Sequence, residues 1–294
     1  FYSLNGNGEM TGVSWIEESG ELQTPITITN THSCGVTRDA TIRWLVSRGV
    51  GTGQDWGLPV AAETYDGDLN DINGFHVTAE HTLAALDGAR GGPVEMGSVG
   101  GGTGMLVYDF KGGNGSASRM VEIGGTAYTL GVFVQSNFGK REDFTVLGVP
   151  VGRHIGHGKL RGKDQGSIIV IVATDAPLMP HHLKRLARRV PLGMARTGAI
   201  AHNTSGDIFL AFSTANADYY AKRGGGSAAF AALPTGSIDP LFRATIEATE
   251  EAIVDSAIVN ATMVGRDGNT ALGLPVDDIE RKLSRYLFTI TAIN

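Results

Sequence analysis

The sequence predicts one mixed α+β domain in which helices cover the faces of the sheets. Residues 25–30 alternate apolar and polar side chains, as in a half-buried strand. Residues 168–173 form an unbroken, mainly β-branched run, which is typical of a strand buried on both faces. Residues 238–263 repeat apolar side chains at helical spacing. A length of 294 residues allows one or two domains, and the sequence has no internal repeat or proline-rich linker, which favours one.

The first half of the chain contains two predicted helices. Residues 39–48 form one, with Asp39 as its N-cap. Residues 78–86 form the other, which starts at a capping threonine and ends before Gly88. The other elements of this half are strands, predicted at residues 25–30, 105–110, 120–123 and 128–135.

The second half begins with a polar segment and continues with alternating strands and helices. Residues 151–165 are rich in glycine and basic side chains and predict a solvated loop. The strands are predicted at residues 168–173 and 207–213, and the helices at residues 180–190, 238–263 and 275–287. In the long helix, the side chains expected to face inward are Leu241, Ile246, Ile253 and Ile258.

Composition argues against several classes of protein. The 24 basic side chains are outnumbered by 30 acidic ones, giving a net charge of −6, which argues against a nucleic-acid-binding surface. No apolar run approaches the roughly 18 residues of a membrane-spanning helix, so we predict no membrane contact. The single cysteine, Cys34, excludes an internal disulfide and a multi-cysteine metal site.

The 42 glycines raise the question of a phosphate-binding loop. The densest stretch, residues 97–104, does not match G-x-G-x-x-G and precedes a predicted strand rather than a helix. We therefore interpret it as a tight turn where backbones pack closely.

Histidine and cysteine side chains offer two further candidate sites. His154 and His157 have the spacing of metal ligands, but no third ligand is nearby, so we interpret them as solvated loop histidines. Cys34, close to His32, has the residue types of a thiol nucleophile and its base. A lone cysteine of this kind is more often a packing residue, and we favour that interpretation.

The junction of Gly166 and Ser167 suggests a more specific mechanism. A serine hydroxyl needs an adjacent base to act as a nucleophile. Cleavage before Ser167 would give this residue its own base, an α-amine with an ordinary pKa of about 7.7–8.0. The exposed loop, the glycine and the following rigid strand suit such a cleavage. From the residues alone, an ordinary loop-to-strand junction remains the favoured alternative.

Seven segments, in order along essentially the whole chain, decide between these alternatives. The segments are NGNGEM at 5–10, TNTHS at 29–33, AETYDG at 62–67, VGGGTGM at 99–105, GSIIV at 166–170, ATDAPL at 173–178 and SGDIFLAFSTAN at 205–216. Together they resemble the L-aminopeptidase D-Ala-esterase/amidase (DmpA) family, which includes the β-peptidyl aminopeptidases.

The resemblance implies an αββα sandwich of the N-terminal-nucleophile hydrolase type, folded as a single domain over residues 1–294. It also implies self-cleavage between Gly166 and Ser167, the position that matches the family's nucleophilic serine. The products would be an α fragment, residues 1–166, and a β fragment, residues 167–294, which stay associated. The end of the 151–165 loop is then expected to be free.

The resemblance also assigns roles to five further residues. Asn137 matches the oxyanion-hole asparagine, Glu63 the carboxylate that receives the substrate ammonium, and Tyr65 a residue that lines the same site. Ser205 matches a second serine near the nucleophile. Asp207 stands where some members have glutamate, so its shorter side chain leaves its share in orienting Ser167 open. Taken singly, each has an ordinary alternative as a turn or surface residue, and that alternative is favoured for Tyr65 and Ser205.

The function implied is a serine aminopeptidase or amidase that acts on short peptides, amides or esters with a free amino terminus. It needs no metal or organic cofactor, and family resemblance implies a homo-oligomer, expected to be a tetramer. Two alternatives stay open: an acyltransferase of the ornithine acetyltransferase type, and an unprocessed, non-catalytic small-molecule-binding protein. An acyltransferase of the first kind is expected to have a threonine nucleophile, so the serine at position 167 argues against that alternative.

The chain begins at Phe1 without an initiator methionine or a signal-like segment. We expect the natural protein to have a further N-terminal segment, as members of the family do. A cytoplasmic location is favoured, and a periplasmic one stays open if that segment carries a signal.

Overall fold

A computed structural model describes residues 1–50, 56–161, 166–217, 219 and 227–291. The strands are β1 (Tyr2–Gly6), β2 (Ile26–Asn30), β3 (Val60–Thr64), β4 (Leu106–Val107), β5 (Phe110–Lys111), β6 (Gly113–Ile123), β7 (Thr126–Asn137), β8 (Ser167–Thr174), β9 (Gly206–Ser213), β10 (Met263–Val264) and β11 (Thr270–Ala271). The helices are α1 (Val13–Ser19), α2 (Cys34–Ser47), α3 (Ala79–Asp87), α4 (Pro180–Ala187), α5 (Val190–Arg196), α6 (Asp239–Ile258) and α7 (Val276–Thr291). Within the described ranges, no helix is both long enough and apolar enough to cross a bilayer.

A five-stranded sheet in the order β1-β9-β8-β7-β6 forms the centre of the molecule. β8 pairs with β9 in parallel and with β7 antiparallel, so it is an interior strand. Its side chains alternate between two hydrophobic clusters: Ile168 and Val170 belong to one, Ile169 and Ile171 to the other. The β-branched run therefore forms the doubly buried strand that it predicts.

Helices and a second, smaller sheet cover the two faces of this sheet. α4, α5 and α6 pack on the face that carries Ile168 and Val170. The parallel pair β2–β3 packs on the opposite face through Val60 and Ala62, and α2 lies over that pair. The layers thus follow the predicted αββα order, because each sheet buries one face against the other sheet and one against helices.

Two predicted elements differ from the structure for reasons of backbone geometry. The strand expected at 105–110 is a tight turn between the short β4 and β5, because Tyr108 and Asp109 adopt left-handed backbone angles, with φ of 49° and 59°. The helix expected at 180–190 divides into α4 and α5. Proline at position 191 lies in the first turn of α5, where its missing N–H is tolerated; inside a continuous helix its ring would clash with a carbonyl four residues back.

Other boundaries shift because tertiary packing sets them. α2 begins at Cys34, directly after the short 3-10 turn Thr31–Ser33, so Asp39 lies inside the helix rather than at its N-cap. α6 ends at Ile258, and the side chain of that residue is 42% exposed, contrary to the inward position expected for it. In the segment predicted to be a solvated loop, the described residues 151–161 are only partly exposed, since Val151 and Ile155 are buried. Residues 162–165, where a free end is expected after cleavage, lie outside the described residues.

Candidate active site

Ser167 is the first residue of β8 and lies between two neighbouring strand ends. It is paired with Asn137, the last residue of β7, and with Gly206, the first residue of β9. The Gly206 N–H donates a hydrogen bond to Ser167 Oγ at 3.2 Å. Because side chains alternate along a strand, Ser167 projects to the same face as Ile169, which is the face covered by β2–β3. The hydroxyl is therefore buried between the two sheets.

Gly166 approaches the end of β7 too closely for any other residue. A Cβ at this position would lie 1.8 Å from the Asn137 carbonyl oxygen and 2.5 Å from Phe138 Cα, both backbone atoms, so any other residue would require the backbone to shift. Glycine therefore allows the bond before Ser167 to lie directly against the strand that carries Asn137.

The carboxamide of Asn137 is held by three hydrogen bonds in a fully buried position. Its Oδ1 accepts from the Leu106 N–H and from Arg161 Nη2, both at 2.9 Å. Its Nδ2 donates to the Tyr65 carbonyl at 2.6 Å. Since an amide nitrogen carries two hydrogens, one N–H of Asn137 is not used by these contacts.

Glu63 is near the end of β3 and is only 3% exposed. Its Oε1 accepts a hydrogen bond from the Glu9 N–H at 2.8 Å, and its Oε2 accepts one from the Thr31 hydroxyl. Burial raises the pKa of Glu63 above its ordinary value, and these two hydrogen bonds offset only part of that rise. A buried carboxylate of this kind gains most from a cationic partner.

Gly8 lies between the Glu63 carboxylate and Gly206, the residue paired with Ser167. A Cβ on Gly8 would lie 3.2 Å from Glu63 Oε1 and 3.5 Å from Gly206 Cα, so these two groups flank the same glycine. Gly206 in turn contacts the Ser167 hydroxyl. The structure therefore brings the predicted ammonium-binding carboxylate close to the predicted nucleophile.

Tyr65 contacts this region through its backbone. Its carbonyl accepts the hydrogen bond from Asn137, while its phenol ring lies over Gly67, where a Cβ would be 2.4 Å from the phenol oxygen. The ring thus lies along the turn that follows β3.

Ser205 and Asp207 form a buried pair on either side of Gly206. Ser205 Oγ donates to Asp207 Oδ1 at 2.6 Å, and Asn5 Nδ2 donates to Asp207 Oδ2 at 3.1 Å. Asp207 is paired in register with Ile168, so it projects toward the helix-covered face rather than the face of Ser167. The pair reaches Ser167 through the backbone N–H of the glycine between its members.

The other candidate sites have structural explanations. Cys34 is buried with its thiol 3.5 Å from the Ala61 carbonyl, and burial raises the pKa of this thiol to about 12, as the packing interpretation expects. In the part of the chain that the structure describes, no three His, Cys, Asp or Glu side chains come together as metal ligands.

The glycine-dense stretch is the close-packed turn that the sequence predicts. A Cβ on Gly102 would lie 2.5 Å from the Gly97 carbonyl oxygen and 2.7 Å from the Asn114 backbone nitrogen. Gly102 is therefore required by the close approach of these backbones.

Two residues at the site carry no distinguishing signal in the sequence. Thr31 lies inside one of the family-like segments but has no individual prediction, and Arg161 lies in a segment predicted to be a solvated loop. The Arg161 side chain is only 7% exposed. One buried arginine among several exposed basic residues cannot be recognised without the fold.

Comparison with known proteins identifies the class. The family model of peptidase family S58 matches residues 1–271. β-Peptidyl aminopeptidase BapA from Sphingosinicella microcystinivorans is 48% identical over 96% of this chain and 74% of its own length. BapA from Sphingosinicella xenopeptidilytica is 40% identical over 95% of this chain and 73% of its own length.

Solved structures of similar proteins have the same fold. One is the L-aminopeptidase D-Ala-esterase/amidase from Ochrobactrum anthropi, described as a prototype of the serine aminopeptidases and a new variant of the Ntn hydrolase fold. It superposes with a TM-score of 0.91 at 45% sequence identity, and the match covers 97% of this chain and 80% of that one. A Burkholderia sp. β-aminopeptidase superposes with a TM-score of 0.86 at 44% sequence identity, and the match covers 95% of this chain and 80% of that one.

The fold and these relatives define a hydrolase of the serine aminopeptidase class with the N-terminal-nucleophile fold. The chain belongs to peptidase family S58. The predicted fold class and the predicted resemblance to DmpA are confirmed.

Proposed function

We propose that the chain cleaves itself between Gly166 and Ser167 and then acts as an aminopeptidase with Ser167 as nucleophile. The observation that carries the proposal is the register pair of Ser167 and Asn137, which brings a hydroxyl and an amide donor to one strand end between the sheets. The close approach of Gly166 to the Asn137 backbone supports it, because the scissile bond then lies beside that donor.

The proposed self-cleavage uses the same geometry. Ser167 Oγ attacks the Gly166 carbonyl carbon, the C–N bond breaks, and the acyl group passes from nitrogen to oxygen as an ester. The hydroxyl proton passes to the departing nitrogen, which becomes the free α-amine of Ser167. Water hydrolyses the ester, which leaves a Gly166 carboxylate and returns the Ser167 hydroxyl. With an ordinary pKa of about 7.7–8.0, the amine is a suitable base for the hydroxyl of its own residue.

In the aminopeptidase reaction, Ser167 Oγ attacks the carbonyl carbon of the substrate's first residue. The unused N–H of Asn137 donates to the developing oxyanion, an interaction worth about 3–4 kcal/mol in other acyl-transfer enzymes. The α-amine takes the Ser167 proton and gives it to the leaving amine. Water then hydrolyses the acyl-enzyme, which returns the Ser167 hydroxyl.

Glu63 selects substrates with a free amino terminus. Its carboxylate is buried, and its hydrogen-bond donors among the described residues are both neutral, the Glu9 N–H and the Thr31 hydroxyl. A substrate ammonium would supply a charge partner for it. The substrate class is therefore a short peptide, amide or ester with a free amine. Relatives named for β-peptides, L-amino acids and D-alanine esters or amides are consistent with this class.

Ser205 and Asp207 orient the nucleophile, and Tyr65 lines the same site. The pair brackets Gly206, whose N–H holds Ser167 Oγ, so its hydrogen bond fixes the direction of that N–H. The Tyr65 carbonyl fixes one N–H of Asn137. In this scheme the three residues act by position rather than by transferring protons.

The two fragments stay associated after cleavage. β8 of the 167–294 fragment pairs along its whole length with β7 of the 1–166 fragment, and one hydrophobic cluster contains residues from both. We further propose a homo-oligomer, a tetramer of processed units, on the basis of family resemblance. Light scattering of the processed protein tests this by measuring its mass in solution.

The test of the activity compares paired substrates. Short peptide p-nitroanilides with a free amine are expected to be hydrolysed, and the same compounds N-acetylated are not. Equal turnover of both would contradict the role of Glu63. Transfer of the acyl group to an added amine in preference to water would indicate an acyltransferase. An uncut chain that binds but does not turn over these compounds would contradict the proposal.

A further inference from the structure

Arg161 makes the one charged contact described for the Asn137 carboxamide. Its Nη2 donates to Asn137 Oδ1 at 2.9 Å, and its Nε donates to the carboxylate of Asp68. The side chains of Arg161 and Asp68 are 7% and 25% exposed, so the ion pair is largely removed from solvent. A guanidinium whose Nε is held by a carboxylate has a fixed plane, and this directs its remaining donors.

The backbone that carries Arg161 is also fixed. The Leu160 and Arg161 N–H groups both donate to Asp109 Oδ1 at 3.0 Å. Upstream, the buried Arg141 side chain donates to the carbonyls of Ile155 at 3.3 Å and His157 at 3.1 Å. Arg161 is therefore held in place by its main chain as well as by Asp68.

These contacts determine which way the Asn137 carboxamide faces. Two donors, the Leu106 N–H and Arg161, meet Oδ1, and one acceptor, the Tyr65 carbonyl, meets Nδ2. A flipped amide would set its NH2 group against two donors and its oxygen against a carbonyl, and all three contacts would be lost. A cationic donor on Oδ1 also polarises the amide, which strengthens the N–H that remains.

We propose that Arg161, held by Asp68, is a positioning residue that orients and polarises Asn137 as the oxyanion donor. This rests on the proposed function of Asn137. Arg161, Asp68, Asp109 and Asn137 all lie within residues 1–166, so the contacts that hold Arg161 do not involve the cleaved bond and stay on one fragment. In this proposal the arrangement serves both the self-cleavage and the hydrolysis of substrate.

The test is the rate of the full chain carrying Arg161→Met, with Lys159→Met as control. Lys159 is on the same segment, and its exposed ion pair with Glu142 has no contact with Asn137 among those described. We expect Arg161→Met to lower kcat about ten- to a hundredfold with KM nearly unchanged, since a small displacement of a catalytic group is enough for such a loss. Asp68→Asn is expected to act in the same direction with a smaller loss, and Lys159→Met to match the wild type.

A double-mutant cycle with Asn137→Ala separates positioning from a general structural effect. If Arg161 acts through Asn137, Arg161→Met causes less than about a threefold further loss in that background, in the rate of self-cleavage and in kcat. An equal loss in both backgrounds, or a change confined to KM, would overturn the inference.

A crystal structure of Arg161→Met provides a readout that does not depend on activity. A rotated or displaced Asn137 side chain supports the inference, and an unchanged one overturns it. If the wild-type chain neither cleaves itself nor hydrolyses aminopeptides, the proposed function fails, and this structure still decides whether Arg161 positions Asn137.

Discussion

Asn137 and Ser167 are the last register pair of the antiparallel ladder between β7 and β8. Directly opposite residues in such a ladder project to the same face, with Cβ atoms about 4.5–5.5 Å apart. The proposed nucleophile and its oxyanion donor are thus related by backbone pairing inside a buried sheet rather than by mobile loops. This relationship accounts for a site in which little reorganisation is needed before reaction.

Removal of the Asn137 carboxamide tests its role as a donor. We expect Asn137→Ala to lower kcat about 10²- to 10³-fold, as in other enzymes that lose one oxyanion donor, with little change in KM. Steady-state kinetics on the processed protein measures both constants. Asn216→Ala is the control, because that side chain also makes paired hydrogen bonds, to Ala231, and lies outside the proposed site. A loss of kcat of equal size in the control would contradict the prediction.

Replacement of Gly166 tests the placement of the scissile bond. In Gly166→Ala the new Cβ would overlap the Asn137 carbonyl oxygen, so the bond must move away from the end of β7. We expect self-cleavage to slow at least about tenfold. Gel electrophoresis of samples taken over time measures this rate. Gly156→Ala is a matched control in the preceding segment, since a Cβ there meets no atom within 4 Å. Cleavage of both variants at the wild-type rate would argue against the close approach.

The pH dependence of substrate binding tests Glu63. Burial raises the pKa of this carboxyl above its ordinary value of 4.5, so it takes up a proton at a higher pH than an exposed glutamate. As pH falls through that raised pKa, the charge that binds the ammonium is lost and KM increases. We expect Glu63→Gln to have a high KM at all pH values and to lack this acid limb. A mutant profile identical to that of the wild type would contradict the role.

The same substitution is expected to stabilise the fold. A carboxyl with a raised pKa in the folded state opposes folding when it is ionised, at pH values above that pKa. Replacement by a neutral glutamine removes this cost and is expected to raise the free energy of unfolding near pH 8, measured by urea denaturation. The advantage should disappear at acid pH, where Glu63 is already protonated in the folded state.

Cys34 is expected to be unreactive in the folded protein. With a thiol pKa of about 12, only about one thiol in ten thousand is ionised at pH 8. We expect iodoacetamide to leave activity unchanged and Cys34→Ala to retain the wild-type kcat, at a cost of about 1 kcal/mol in stability from lost packing. Stoichiometric alkylation with loss of activity would show that the thiol is accessible and contributes to the reaction.

Local sequence pattern predicts the elements whose packing follows their composition. β8 is recognisable because a doubly buried strand must be apolar on both faces. The first half of β6 cannot be recognised from the sequence, because its glycine, serine and asparagine residues have low strand propensity. Gly115 shows why glycine occurs in this strand. A Cβ there would lie 1.9 Å from the Ala252 carbonyl oxygen, so the approach of α6 requires glycine.

The residues of the candidate site likewise fall into those that the sequence identifies and those that it does not. Ser167, Asn137 and Glu63 are found through their resemblance to a family, and the structure brings them to one region. Arg161 is not found, because its burial depends on Asp68 and Asp109, which are 93 and 52 residues away along the chain. Contacts over such separations are set by the fold, and a charged segment gives no sign of which of its side chains is buried.

The intact mass of the protein under denaturing conditions, for the wild type and for Ser167→Ala, tests the assignment of Ser167 most directly. We expect two wild-type fragments, residues 1–166 and 167–294, and a single uncut chain for Ser167→Ala. An uncut wild-type chain, or a mutant cleaved at the same bond, would contradict the assignment of Ser167 as the nucleophile.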